Sequence, residues 1–486
     1  MRSSGRPWIT AAVLVAAALL PALMPSLGRF QILRPGAFAR TFVDPFRGRP
    51  KVPLWSREAV IGAHESPAPA GDSPAPSRQE PLESSLAPRL RAVPAHDGTS
   101  AQDGFLVDPG DALKGFYSAL RWAELGVGVV RVLHLGDSVV TGDLITAEAG
   151  ARLRKAYGDG GPGWMYLARP WEWYMRLGVT LEGGQWQIFS PLLTARKDRR
   201  YGLAGLAFSG TPEAETVLRT AKHHPFSRIT LHYFAMPKGG SVILQVDRQP
   251  PVVLSTAGEP GPAASAFANL EDTPHTLTLK PKGDGDILLY GLVLERDGAG
   301  VVYDAIGSNG GAIHHLAHLD AHNWIAALGL RHPDLVILGF GTNESGYYNI
   351  PGPAYATDYR EVVRRIREAL PEAGILLMGP LDRGERGESG EIVTMPRIIK
   401  ITEAQRKIAE DLGCAFFDTF QAMGGEGAAG RWYFNSPRLM TADFTHPTRA
   451  GADRVASLLV ESLQARYRAF RQARTLEESS AASRRE

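Results

Sequence analysis

The sequence predicts an α/β domain, a parallel sheet covered by helices, interrupted by an all-β stretch. Two observations predict it. Apolar strands alternate with amphipathic helices on both sides of the interruption, the pattern of a parallel sheet. Between about residues 173 and 300 that alternation gives way to short β-branched and aromatic runs separated by Gly, Pro and Asp. The 486 residues exceed one ordinary domain and are enough to bury a sizeable core.

Residues 1–28 read as a signal peptide or membrane anchor. Arg2 and Arg6 precede an apolar run over 8–24, interrupted mainly by Thr10 and Pro21. A charged segment followed by an apolar one is the layout of export, and hydropathy alone does not separate a cleaved signal from an uncleaved anchor. Residues 29–108 are a Pro/Ala-rich linker, with repeats such as Ser66-Pro67-Ala68-Pro69-Ala70, too poor in apolar side chains to offset chain entropy.

Residues 109–172 form the first part of the α/β body. Leu113, Phe116, Tyr117, Leu120 and Ala123 recur at helical spacing, and 129–135 reads as a strand that stops at Gly136-Asp137-Ser138. A second helix carries Ala147, Ala151, Leu153 and Ala156, before the loop Gly158-Asp159-Gly160-Gly161-Pro162-Gly163-Trp164. Residues 173–300 are the inserted β-sandwich or jelly roll, with strands at Arg228–Ala235 and 241–247, 252–256, 276–280 and 287–295. Residues 301–472 are the second part of the body. Strands are predicted at 334–340, 374–379 and 415–418, and helices at 359–370, 398–412 and 450–467. Residues 473–486 read as a polar tail.

Composition narrows the chemistry. A formal charge of +2 with scattered basic residues lacks the positive stripe of a nucleic-acid partner. The single cysteine, Cys414, excludes an intramolecular disulfide, a zinc cluster and a CxxC redox pair, and its apolar neighbours suit a buried thiol.

Four short motifs fall where strands end, the edge at which open α/β sheets bind ligands. Ser138 follows the 129–135 strand; alone, Gly-Asp-Ser equally describes a capped strand-to-helix turn. Ile306-Gly307-Ser308-Asn309-Gly310-Gly311 leads into a helix and offers the Gly310 amide, or is a plain turn. Gly341-Thr342-Asn343-Glu344 follows another strand and offers a neutral side-chain donor, or closes a turn. Asp443-Phe444-Thr445-His446-Pro447 sets an aspartate three residues before a histidine, able to orient its imidazole. Together they supply a nucleophile, a base, an orienting acid and donors for an oxyanion, the parts that ester hydrolysis requires.

These motifs resemble the signature blocks of the SGNH (GDSL-type) hydrolase superfamily. The wider run His134-Leu135-Gly136-Asp137-Ser138, Gly142-Asp143 and Tyr157-Gly158-Asp159-Gly160-Gly161-x-Gly163-Trp164 is similar to bacterial peptidoglycan O-acetylesterases. The resemblance spans roughly residues 113–470 and is only architectural within the β-rich stretch. It implies a flavodoxin-like three-layer α/β/α fold with an inserted carbohydrate-binding-module-like domain. It further implies a Ser138, His446 and Asp443 triad, and an oxyanion hole from Ser138, Gly310 and Asn343. The implied reaction removes O-acetyl groups from an acetylated cell-envelope glycan, in the periplasm or at the inner membrane, without metal or organic cofactor. Val139-Val140-Thr141, where relatives often place His, departs from the pattern and bears on substrate preference.

The same triad would serve an O-acetyltransferase. A non-catalytic carbohydrate-binding envelope protein would need only the β-rich stretch, and the complete four-part set argues against it. Trp164, Trp171, Trp173 and Trp186 suit either a sugar-stacking cleft or a packed core. The adjacent His314 and His315 diverge on a helix and are poorly arranged for one metal. Glu344 reads equally as a loop-structuring residue and as a solvated charge.

Overall fold

The computed structural model describes residues 104–267, 270–347 and 349–483, with side chains through 475. The segment 1–28 and nearly all of the linker 29–108 lie outside the described residues. No helix among the described residues is long and apolar enough to cross a membrane.

The central sheet runs Leu106–Val107, Ala415–Phe417, Gly374–Met378, Leu335–Gly339, Val129–Gly136, Gly300–Gly307. All are parallel except Leu106–Val107, which pairs antiparallel with Ala415–Phe417. Numbering the five parallel strands along the chain gives the spatial order 2-1-3-4-5, the doubly wound arrangement of flavodoxin-like folds. These strands are apolar along nearly their whole length because both faces are covered. Helices Lys114–Glu124, Leu144–Tyr157 and Arg449–Ser483 pack on one another. Ala321–Arg331 packs on Pro353–Ala369, and Pro396–Asp411 lies against both Pro353–Ala369 and the Ala415–Phe417 side of the sheet.

Between the two parts of this sheet the chain forms two antiparallel sheets. One orders Val252–Ser255, Ser241–Val246, Thr276–Pro281, Glu215–Thr220 and Val179–Gly184. The other orders Gly261–Phe267, Arg228–Ala235, Leu289–Glu295, Ala207–Ser209 and Gln187–Phe189, with Gly163–Met165 also paired to Leu289–Glu295. Val242, Leu244 and Val246, with Leu277 and Leu279 on the neighbouring strand, alternate inward as a half-buried sheet requires.

Several sequence boundaries need correction. The body starts with Leu106–Val107, inside the stretch assigned to the linker, because two residues suffice to cover the edge of Ala415–Phe417. The β-rich stretch starts at Gly163–Met165, ahead of residue 173, because a strand of three residues is too short to show alternation. Gly300–Gly307 is a strand at the edge of the sheet that the sequence expectations omit; Asp304 interrupts its apolar run, and its charge is met by the distant Arg331 and by the Trp164 N–H. The last helix runs on through Ser483, into the segment read as a tail, since its Ala, Arg, Gln and Glu residues are good helix formers.

Candidate active site

Three glycines lie abreast at the carboxyl edge of the sheet: Gly307 and Gly339 each pair with Gly136. A side chain at Gly136 or Gly307 would collide with the turn that follows strand 129–136, and one at Gly339 with the His134 imidazole. A Cβ on Gly136 would come within 2.4 Å of Val140 Cγ2, and one on Gly307 within 2.2 Å of the Thr141 amide nitrogen. Gly136 and Gly307 therefore let the short helix Ser138–Thr141 settle directly onto the sheet end. Asp137 fixes its start, accepting the Val139 N–H at 3.0 Å through Oδ1. The Ser138 N–H, at the first helical position, has no partner within the helix.

The candidate base, His446, arrives from a loop just before the last helix. Asp443 Oδ1 accepts the amides of Thr445 and His446, each at 3.0 Å, which ties the loop around its own carboxylate. The Thr441 hydroxyl reaches the same oxygen and also the His446 carbonyl. Phe444 sits at φ +53°, a left-handed conformation that turns the chain between the two residues. Its carbonyl accepts the Gly384 N–H at 2.8 Å.

Asp443 Oδ2 lies 2.6 Å from His446 Nδ1, and His446 Nε2 lies 2.9 Å from Ser138 Oγ. Burial works against the charge on Asp443, but hydrogen bonds and attraction from His446, with the Thr441 hydroxyl, hold its carboxyl well below the usual range. An ionised Asp443 can only accept. Nδ1 therefore carries the proton, and Nε2 is left to accept from the serine hydroxyl.

The other two motifs stand beside this chain of contacts. The Ser308 N–H donates to the Gly136 carbonyl at 2.9 Å, tying the Gly310 loop to the strand that carries Ser138. Gly310 has φ +74°, with nothing within 4 Å of where a Cβ would stand. Asn343 donates one amide hydrogen to the Gly311 carbonyl at 2.9 Å, leaving its second hydrogen for another acceptor. Glu344 is no solvated charge: it is fully buried, and accepts the Ile313 N–H and the Gly341 N–H at 3.0 Å each.

Asp143, at φ +50°, accepts from Arg176 Nη1 and the Leu177 N–H at 2.8 Å each. Arg176 in turn donates to the Pro162 carbonyl at 2.9 Å. This clamp holds the 162–177 segment against the helix after the nucleophile turn. The Gly142-Asp143 motif was its only sequence signal, and Thr441 gave none.

Trp164 and Trp186 are core residues, and Trp171 and Trp173 are half-buried. His315 Nδ1 accepts the Ala312 N–H at 3.0 Å, and burial, with His314 adding to it, pushes its imidazole down to about 4. Cys414 is buried, with its thiol pushed up to about 11 by burial.

Residues 286–454 match the GDSL-like lipase/acylhydrolase family. Fold and match together make this chain a carboxylic ester hydrolase, with the GDSL-like match lying over residues 286–454. The solved structure of a peptidoglycan O-acetylesterase in action is similar to it, with a TM-score of 0.66 at 25% identity, covering 75% of this chain and 100% of that one. Family two carbohydrate esterases also match: an active-site mutant from Clostridium thermocellum (10% identity, 59% of this chain and 98% of that one, TM-score 0.27) and one from Cellvibrio japonicus (14%, 60% and 98%, 0.22). No curated protein matches the sequence.

Proposed function

We propose that this chain is an exported serine esterase that removes O-acetyl groups from a cell-envelope polysaccharide such as peptidoglycan. The observation that carries the proposal is the hydrogen-bonded series from Asp443 through His446 to Ser138. Ser138 Oγ attacks the acetyl carbonyl while its proton passes to His446 Nε2. Asp443 stabilises the imidazolium that results. The oxyanion rests on the Ser138 and Gly310 amides and on the free hydrogen of Asn343. His446 then protonates the departing sugar oxygen, and water, deprotonated by the same imidazole, releases acetate from the acyl-serine.

The likeness to a peptidoglycan O-acetylesterase supports acetyl as the acyl group and an envelope glycan as the carrier. The basic and apolar start of the sequence supports export. The two antiparallel sheets are read as an inserted domain that meets the glycan.

The test measures acetate released from O-acetylated peptidoglycan and hydrolysis of 4-nitrophenyl acetate by the full chain and by Ser138→Ala. The variant should lose at least about 10⁴-fold in kcat on both substrates. Equal rates from variant and parent would refute the mechanism. Activity on the aryl ester without acetate from the glycan would refute the substrate.

A further inference from the structure

Glu344 has an expensive position. It is fully buried, and an ionised carboxylate away from water must be compensated by hydrogen bonds or a counter-charge. It has no ion-pair partner among the described residues; both of its oxygens face backbone amides instead. Those amides belong to different loops. Ile313 opens the helix Ile313–Ala317, three residues after Gly310, and Gly341 opens the turn that presents Asn343. Gly341 is at φ +128°, and a Cβ there would meet Gln405 Nε2 at 2.9 Å, so the turn is confined from behind as well.

We infer that Glu344 is a positioning residue for the oxyanion hole, one carboxylate that clasps the Gly310 loop to the Asn343 turn so that their donors converge on the same oxygen. The inference rests on the esterase reading above. The Asn343 to Gly311 hydrogen bond joins the same two loops nearer the surface, but it uses a hydrogen of the very group being positioned. Glu344 touches no reacting atom and acts only through the loops.

Its protonation fits that role. Burial raises the Glu344 carboxyl to about 7, with the nearby Asp137 charge adding to the rise and the two amides opposing it. The phenols of Tyr355 and Tyr359 are the other titratable groups that sense it. A carboxyl raised in this way favours the folded state most below its ordinary value of 4.5, and that contribution is lost as pH rises towards 7. The ionised clasp therefore costs stability as pH rises, while an apolar side chain would leave the Ile313 and Gly341 amides without acceptors.

The experiment compares the parent with Glu344→Gln and Glu344→Asp. The Gln side chain keeps the shape but must turn its NH2 towards one of the two amides, and Asp is too short to reach both. Per active site titrated with a fluorophosphonate, Glu344→Gln should lose about 10- to 100-fold in kcat on 4-nitrophenyl acetate. Its KM should stay within about threefold, since the ground-state ester does not need the hole. Fluorophosphonate labelling of Ser138 should slow in parallel, and Glu344→Asp should fall between Gln and the parent. Parental kcat and labelling rate in Glu344→Gln would overturn the inference. A kcat loss fully accounted for by loss of folded, titratable sites in both variants would do the same. An active Ser138→Ala would instead bring down the underlying esterase reading, so the two failures are distinguishable.

Discussion

Asp443 does two jobs with one carboxylate: Oδ1 organises its own loop, and Oδ2 holds the Nδ1 side of His446, the base of the proposed triad. Its depressed carboxyl makes a directional statement about pH. Because folding lowers it below 3.8, it contributes stability above that value, and the contribution is lost as pH falls through the lower folded-state value. Asp443→Asn removes the charge while leaving an acceptor for the loop amides. It should lower kcat by about 10³- to 10⁴-fold by favouring the wrong imidazole tautomer, with parental KM. It should also flatten the acid limb of a urea-midpoint against pH curve. An Asn variant with kcat within a few-fold of the parent would show that Asp443 does not orient His446. This much of the site was legible because each motif is local: an Asp-x-x-His pair or a Gly-Thr-Asn turn is complete within five residues. The Glu344 clasp was not, since one of its amides lies 31 residues upstream and nothing beside Glu344 in sequence announces its burial.

At the scale of elements, Gly136 and Gly307 explain why the Ser138 turn and the sheet edge can touch. Gly307→Ala tests this in the plainest way, since its backbone does not need glycine's conformational freedom and only the added methyl matters. That methyl would stand 2.2 Å from the Thr141 nitrogen and 2.5 Å from Thr141 Oγ1, so either the helix Ser138–Thr141 lifts or the strand shifts. The expected cost is about 1–3 kcal/mol in urea unfolding, as for other overpacked sites. A larger proportional loss in kcat than in folded fraction should accompany it, because the displaced segment carries Ser138. Parental kcat together with parental stability would mean that the close approach is slack. The strand that carries Gly307 also marks the limit of sequence reading. Strands 129–136 and 335–339 announce themselves as apolar runs, whereas 300–307 is hidden by Asp304. Its partner Arg331 lies at the far end of another helix, and no periodicity links the two.

On the scale of the whole molecule, that same pair joins the parallel sheet to the β-rich layers. Arg331, 4% exposed, donates to Asp304 on the strand Gly300–Gly307 and to Glu295 at the end of Leu289–Glu295. Arg131 reaches Glu295 from the nucleophile strand at 2.9 Å. Burial would raise the Glu295 carboxyl, yet Arg331 and Arg131 bring it down to about 2. Around this network the apolar core is continuous, running from Leu133 and Leu338 of the parallel sheet to Phe208, Leu231 and Leu289 of the antiparallel layers. A core shared in this way leaves neither layer able to lose its partner without exposing apolar surface, so the described body should unfold as one unit. Calorimetry should give a single peak whose van't Hoff and calorimetric enthalpies agree, with esterase activity lost over the same temperature range. Arg331→Leu should leave Asp304 buried without its cation, and Glu295 with Arg131 and Arg228 but without its most buried partner; it should cost about 3–5 kcal/mol, moving that one peak down without splitting it. Glu295 then loses the strongest cause of its depression. The stability that it contributes above 4.5, and loses as pH falls towards about 2, should shrink in the variant. A separate low-temperature peak with activity retained beyond it would show instead that the β-rich layers melt alone, and that the buried ion pairs do not bind the two parts into one cooperative structure.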